Sequence, residues 1–259
     1  MKKGTEVYTQ REYQVVKSND LIQKSRYNMT LEEQKTIAYI CSMIKPIKAA
    51  AGQEVLYQLD YQFSIADYCK VCGIQNIGGT RYEHVKSTIK SLRDKSMWLL
   101  MPDGGETVVS WLDRVTIYKK SGKIKIKLDD RLVPYLFDLS RQFTQYQLIS
   151  VLAMKSSYSI RLYELLKSYA YQKEKTFDID SLKKILAAEN YDRFPDFRRR
   201  VLEPAEKEIN LLTDISINIL PINKGRKVIA VKFEITAKSE NEKIIAMNYA
   251  TDELDIKSN

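Results

Sequence analysis

Apolar side chains recur at helical spacing through LEEQKTIAYICSMI (31–44), and Thr30-Leu-Glu-Glu33 ahead of them has the form of a capping box; a helix is predicted that ends near Pro46. YQFSIADYCKVCGI (61–74) predicts a short extended piece feeding a helix. RYEHVKSTIKSLRDKS (81–96) predicts another helix, with Tyr82, Val85, Ile89 and Leu92 on one face. WLLM and TVVSWLDRVTIYK read as β-segments joined by the turn-rich Pro102-Asp-Gly-Gly105. Lys119-Lys-Ser-Gly122 then turns the chain into the alternating strand KIKIKL.

The second half repeats that order. SSYSIRLYELLKSYAYQ is an amphipathic helix, TFDIDSLKKILAA is extended and then helical, and FPDFRRRVLEPAEKEINLL is the third helical stretch. DISINILPI and KVIAVKFEIT form a hairpin across Asn223-Lys-Gly-Arg226, and Phe63 and Phe177 hold matching places. Three helices and a hairpin, twice over, predict an α+β fold of two tandem winged-helix domains in pseudo-repeat. The expected division is 1–138, 139–238, and a loosely held, flexible tail at 239–259 that is polar apart from one short apolar patch.

In such a fold the third helix of each unit can enter a major groove while the wing reaches a neighbouring backbone. At ~100° per residue, Val201, Ala205 and Leu212 share one face of the third helix of the second unit, and Arg199, Arg200 and Asn210 point away from it. Three adjacent arginines, Arg198, Arg199 and Arg200, repel one another, so an outside anion is expected to compensate them. Pro204 removes a backbone donor and should kink or divide that helix. Lys224, Arg226 and Lys227 give the same unit a basic wing. In the first unit Lys86, Lys90 and Arg93 lie on the third helix, with Ser87, Ser91 and Lys95 opposite the apolar stripe and Lys119, Lys120 and Lys123 at the hairpin turn. Lysines and serines suit phosphates better than base edges, so that half is expected to position the duplex and also to serve self-association.

The 259-residue chain carries 42 basic and 33 acidic side chains, an excess that points to a polyanionic partner. Residues 1–140 hold 22 basic against 16 acidic groups and 141–238 hold 18 against 12, so both predicted domains share the excess; 239–259 is acidic, with 2 against 5. No apolar run approaches the ~18 residues of a membrane span, and the N-terminal residues lack the apolar centre of a signal peptide, which leads us to expect a cytoplasmic protein without membrane partners.

Candidate chemistry adds little. Cys69 and Cys72 have zinc-like spacing, but only His84 and Cys41 remain to complete a site, and Tyr68, Cys69 and Cys72 fall near the apolar face of a short helix, IADYCKVCGI, where buried thiols are ordinary. Gly73-Ile-Gln-Asn-Ile-Gly-Gly-Thr80 resembles a phosphate loop without its lysine and reads better as a turn. A metal-dependent nicking enzyme would pair histidines beside a nucleophilic tyrosine, and His84 is the only histidine. Asp129-Asp130 has no catalytic neighbour. No catalytic residue, metal or cofactor is expected.

VVKSNDLIQKSRYNMTLEEQKTIAYICSMI, FTQYQLISVLAMKSSYSIRLYELLKSY, FPDFRRRVLEPAEKEINLLTDISINI and GRKVIAVKFEI together resemble the replication initiator (Rep) proteins of iteron-carrying, theta-replicating plasmids, from Val15 to Ile235. The most specific stretches are SIRLYELLK and LEPAEKEIN. The resemblance implies that a monomer binds direct repeats (iterons) at an origin, with the reading role on Arg198, Arg199 and Arg200 and the wing role on Lys224, Arg226 and Lys227. It also implies a dimer formed through the N-terminal domain that represses its own gene in some relatives, and a host initiator and a replicative helicase as partners. The alternative is a winged-helix transcriptional regulator with no replication role. Direct repeats of about two helical turns beside an AT-rich segment mark the initiator, and one inverted repeat at a promoter marks the regulator.

Overall fold

The computed structural model describes residues 13–26, 28–45, 56–74, 80–100, 104–137 and 142–256. The first unit begins with strand β1 (Gln14–Ser18) and helices α1 (Asn19–Lys24) and α2 (Leu31–Ser42). The Thr30 hydroxyl accepts from the Glu33 amide at 3.2 Å and the Glu33 carboxylate accepts from the Thr30 amide at 2.7 Å, so the predicted capping box starts α2. Strand β2 (Asp60–Ser64) buries alternate residues, Tyr61 and Phe63, and the Ser64 side chain caps helix α3 (Ile65–Val71). Helix α4 (Thr80–Asp94) buries Val85, Ile89 and Leu92. Strands β3 (Ser96–Leu100) and β4 (Glu106–Ser110) pair with each other, and Trp111 separates them from the hairpin β5 (Leu112–Tyr118) and β6 (Lys123–Leu128).

A short helix α5 (Val133–Leu136) leads to β7 (Phe143–Gln147), α6 (Leu148–Leu152) and α7 (Ser157–Ser168), the helix that precedes the second sheet. Strand β8 (Glu174–Asp178) runs into α8 (Ile179–Leu186), capped by the Asp178 carboxylate accepting from the Ser181 amide at 2.8 Å. Bonding to Ser181 holds the Asp178 carboxyl below its ordinary pKa. Helix α9 (Phe194–Phe197), a π-turn (Arg198–Leu202) and α10 (Glu203–Leu212) form the third helical stretch, followed by the long hairpin β9 (Ile215–Lys224) and β10 (Lys227–Ala237).

The two units share one sheet plan. The strand orders are β2-β6-β5 and β8-β10-β9: in each, the return strand of the hairpin is central and the short strand between helices flanks it. Phe63 pairs with Ile124 and Phe177 with Val231 at matching points, and each phenylalanine is followed by a capping residue and an isoleucine that starts a helix. These are two winged-helix domains; β3–β4 is an extra hairpin in the first.

The halves are interlocked rather than strung end to end. β1 pairs antiparallel with β7, Val15 opposite Tyr146, which carries the first strand across to the start of the second half. Lys17 on β1 meets Glu164 on α7 at 2.6 Å with both side chains at most 4% exposed, and the Tyr146 hydroxyl donates to the same carboxylate oxygen. Burial and that neighbouring carboxylate push the Tyr146 phenol well above its ordinary range. The Arg161 guanidinium donates to the Ser25 carbonyl at 2.8 Å, and Asn19 accepts from Thr144 at 2.7 Å.

One expectation fails. Residues 240–256 are not a loose tail but a helix, α11 (Glu240–Ile256), packed on α6 and α10. Ala246, Ala250 and Leu254 form its buried stripe at four-residue spacing, Ser239 and Glu242 cap its start, and Lys155 reaches Glu253 at 2.8 Å. Of the other expectations, Pro46, most of the glycine loop (75–79), part of the Pro102–Gly105 turn (101–103), part of the inter-domain connection (138–141) and the last three residues lie outside the described residues.

Lys17→Met should destabilise the protein by about 3–5 kcal/mol, since it strands the Glu164 charge in the interior. In urea unfolding, the double change with Glu164→Leu should recover most of that loss; equal losses in single and double variants would contradict the pairing.

Candidate nucleic-acid interface

The third helical stretch of the second unit is built around its proline. Pro204 has no N–H to give the carbonyl of Arg200, the bond a regular α-helix needs there. The chain answers with a wider turn: the Glu203 amide donates to the Arg198 carbonyl five residues back, and the helix continues from 194 to 212 without a break. The expected kink or division takes the form of this π-turn, in which one extra residue absorbs the missing donor. Phe197, Val201, Leu202, Ala205, Ile209 and Leu212 are buried, and Arg198, Arg199 and Arg200 are all exposed at the π-turn.

The arginines are partly compensated inside the chain. Arg199 donates to Asp196 at 3.1 Å and Arg198 to Glu203 at 3.0 Å, whereas Arg200 has no acidic partner among the described residues. Exposed pairs of this kind contribute about 0–1 kcal/mol, so a polyanion can exchange for them at little cost. Four arginines face two carboxylates over residues 193–203, leaving the turn cationic.

Asn210 does not stand with the arginines. Its amide is committed to the backbone of Ile217 in β9, accepting from the N–H at 2.6 Å and donating to the carbonyl at 2.9 Å. In the π-turn each residue advances the helix by a smaller angle than a uniform wheel assumes; Ala205 and Leu212 still fall on the buried face as expected, whereas Asn210 comes round to β9.

The wing closes with Lys224 opposite Lys227 around Gly225-Arg226. Gly225 has φ 62°, the positive value required at the first central position of a type II′ hairpin turn. Lys224, Arg226 and Lys227 are exposed, and no carboxylate lies within ion-pair distance of them among the described residues. Like charges directly opposite on a ladder destabilise it, so the wing tip is a cluster in want of an anion.

The first unit offers a second, weaker cluster. Lys86, Lys90 and Arg93 are exposed on α4, with Lys86 3.6 Å from Glu83 and Lys90 paired with Asp94; Arg93 has no acidic partner among the described residues. Lys119, Lys120 and Lys123 surround the β5–β6 turn. Ser91 and Lys95, expected to face phosphates, point inward instead: both bond Glu33, at 2.5 and 2.6 Å, and fasten α4 to α2. Burial alone would raise the Glu33 pKa; these bonds outweigh it and hold the carboxyl lower.

The remaining chemistry is structural. Cys41, Cys69 and Cys72 are buried and in no disulfide, and His84 is exposed. Asp129 caps the turn after β6 and binds Arg131. No group of three or more His, Cys, Asp or Glu that could hold a metal occurs among the described residues, nor does any described helix have the length and apolarity to cross a membrane.

Two family models match, one described as "Initiator Replication protein, WH1" over residues 14–167 and one as "Initiator Rep protein, WH2" over 178–235. A "Replication initiation protein" of Escherichia coli is 26% identical over 231 residues, covering 85% of this chain and 69% of that protein. The "PI protein" of Escherichia coli is 29% identical over 152 residues, 51% of this chain and 49% of its own length. A crystal structure of the Pi initiator protein in complex with iteron DNA superposes with a TM-score of 0.70 at 21% identity, over 89% of this chain and 99% of the other; the likeness is one of fold.

Gly225→Ala should cost about 1–2 kcal/mol in urea unfolding through backbone strain alone, since an added Cβ would meet nothing within 4 Å. No loss would mean that the wing turn takes another conformation.

Proposed function

The chain belongs to the initiator replication protein family, and we propose that it initiates plasmid replication by binding direct-repeat origin DNA sequence-specifically, a binding protein rather than an enzyme. The observation that carries this reading is the pairing of the exposed arginine turn with the uncompensated wing tip in one unit, set against a similar basic helix and hairpin in the other. The solved complex of the similarly folded Pi initiator protein with iteron DNA supports the same class of ligand.

Within the second unit, Arg198, Arg199 and Arg200 enter a major groove, where an arginine can reach guanine in a two-pronged contact. Lys224, Arg226 and Lys227 hold adjacent phosphates. Lys86, Lys90 and Arg93 of the first unit grip the backbone further along. Residues 1–138 form the gripping domain and 139–238 the reading domain, although β7 and α7 serve both in packing.

A dimer is the second state of the protein. Trp98 and Val108, directly opposite each other on the β3–β4 hairpin, are 63% and 40% exposed, an apolar pair suited to cover by another copy. A host initiator and a replicative helicase are the partners that origin opening requires, and the cytoplasm is where this work takes place.

The deciding experiment is a footprint of the purified protein on its own plasmid. Protection of direct repeats beside an AT-rich segment is expected, and one protected inverted repeat at a promoter would replace the initiator reading with that of a regulator. Arg200→Ala should weaken specific binding by ~1–3 kcal/mol and relax preference at one base position. Lys224→Ala or Lys227→Ala should lower affinity for every sequence and flatten the salt slope by about 0.9 for each phosphate no longer bound, as read from titrations at several salt concentrations. Unchanged site preference in the first case would take Arg200 out of base reading, and unchanged slope in the second would take the wing lysine off the phosphates.

A further inference from the structure

We infer that Glu206 and Asn210 are positioning residues that lock the reading helix to its wing, fixing how far apart along a duplex the two can make contact. The inference rests on the DNA reading above and goes beyond it, since it concerns two side chains that bond the β9 backbone rather than the proposed DNA contacts.

β9 lies at the edge of its sheet, so half of its backbone groups lack a neighbouring strand. α10 supplies one from its side chains. Asn210 makes a two-bond contact with Ile217, as an adjacent strand would, and one helical turn earlier the Glu206 carboxylate accepts from the Ile219 amide at 3.1 Å. These positions are four apart on the helix and two apart on the strand, and the two rungs together set both the angle and the register of β9 against α10. Lys238, just past β10 and beside the start of β9, adds a tie at the same end by donating to the Asn210 and Thr213 carbonyls at 2.6 and 2.8 Å. The C-terminal end of the reading helix is thus held by both strands at the base of the hairpin.

The first unit is fastened otherwise. α4 is tied through Ser91 and Lys95 to α2, and no side chain of α4 hydrogen-bonds the β5–β6 hairpin among the described residues; Lys119 lies 6.0 Å from the Tyr82 ring. Among the described residues, side-chain hydrogen bonds from helix to wing therefore occur in the second unit, whereas α4 meets β5 through packing. A rigid pair measures a distance along DNA; a loosely joined pair tolerates several.

Hydroxyl-radical footprinting of the full chain on a duplex with one direct repeat tests this, using the native protein, Asn210→Ala, Glu206→Ala and Glu206→Gln. Glu206→Gln keeps the accepting oxygen and should reproduce the native pattern. Asn210→Ala and Glu206→Ala should keep the bases protected by the arginine turn while the wing-side protections fade or spread, with affinity down about tenfold. Native spacing of both protections in the alanine variants overturns the inference. Should Asn210→Ala fail to fold, Glu206→Ala against Glu206→Gln carries the comparison alone. Native protein that protects no repeat would instead overturn the DNA reading beneath it.

Discussion

Lys17 and Glu164 meet in the interior, one on the first strand and the other on the helix that opens the second half. Taking two charges out of water costs several kcal/mol for each, and only close contact with further hydrogen bonds offsets that. Here the contact is 2.6 Å, the Tyr146 hydroxyl donates to the same carboxylate, and the Trp111 ring lies 5.8 Å from the ammonium. Each partner is costly without the other, so β1 cannot leave α7 cheaply. With β1 held, its pairing with β7 is held as well, and the two winged-helix domains present their basic elements from a joined scaffold.

That scaffold gives the surface charge its meaning. Cations scattered over a protein that tumbles as two independent units would gather around a polyanion in no fixed order. On interlocked domains the arginine turn, the wing tip and the α4 lysines keep set relations, which is the condition for reading a sequence rather than merely adhering to it. Inside the chain the same residues are only lightly compensated. Asp196 and Glu203 neutralise two of three neighbouring arginines through exposed contacts, and the opposed lysines of the wing have no carboxylate among the described residues.

Much of this is legible from residues alone, for identifiable reasons. Thr30 and Glu33 announce a helix start through local bonding, and the alternation in KIKIKL and KVIAVKFEIT marks strands buried on one face. The spacing of Phe63 and Phe177 exposes the repeat because each sits before a helix cap in a strand that needs an inward aromatic. Asn210 is misplaced because the π-turn shifts the phase of the helix beyond it, enough to bring a residue at the edge of the predicted outer face round to β9, while Ala205 and Leu212 stay buried. Ser91 and Lys95 mislead because their partner, Glu33, is 58 or more positions away in sequence. The C-terminal helix is hidden since its buried stripe is mostly alanine while Ile244 and Ile245 face solvent, which blurs the apolar period. The joining of β1 to β7 and the Lys17–Glu164 pair are long-range facts with no local mark.

The central claim is that both domains of a single copy engage one repeat together, and the salt dependence of binding to a single-repeat duplex tests it most directly. The comparison is between the native protein and a variant with Lys86, Lys90 and Arg93 all changed to alanine, far in sequence from the arginine turn. A plot of log affinity against log salt that is flatter for the variant, by about 0.9 for each phosphate the first domain no longer neutralises, is the predicted result. Parallel lines for the two proteins would contradict it and leave the first domain off the DNA.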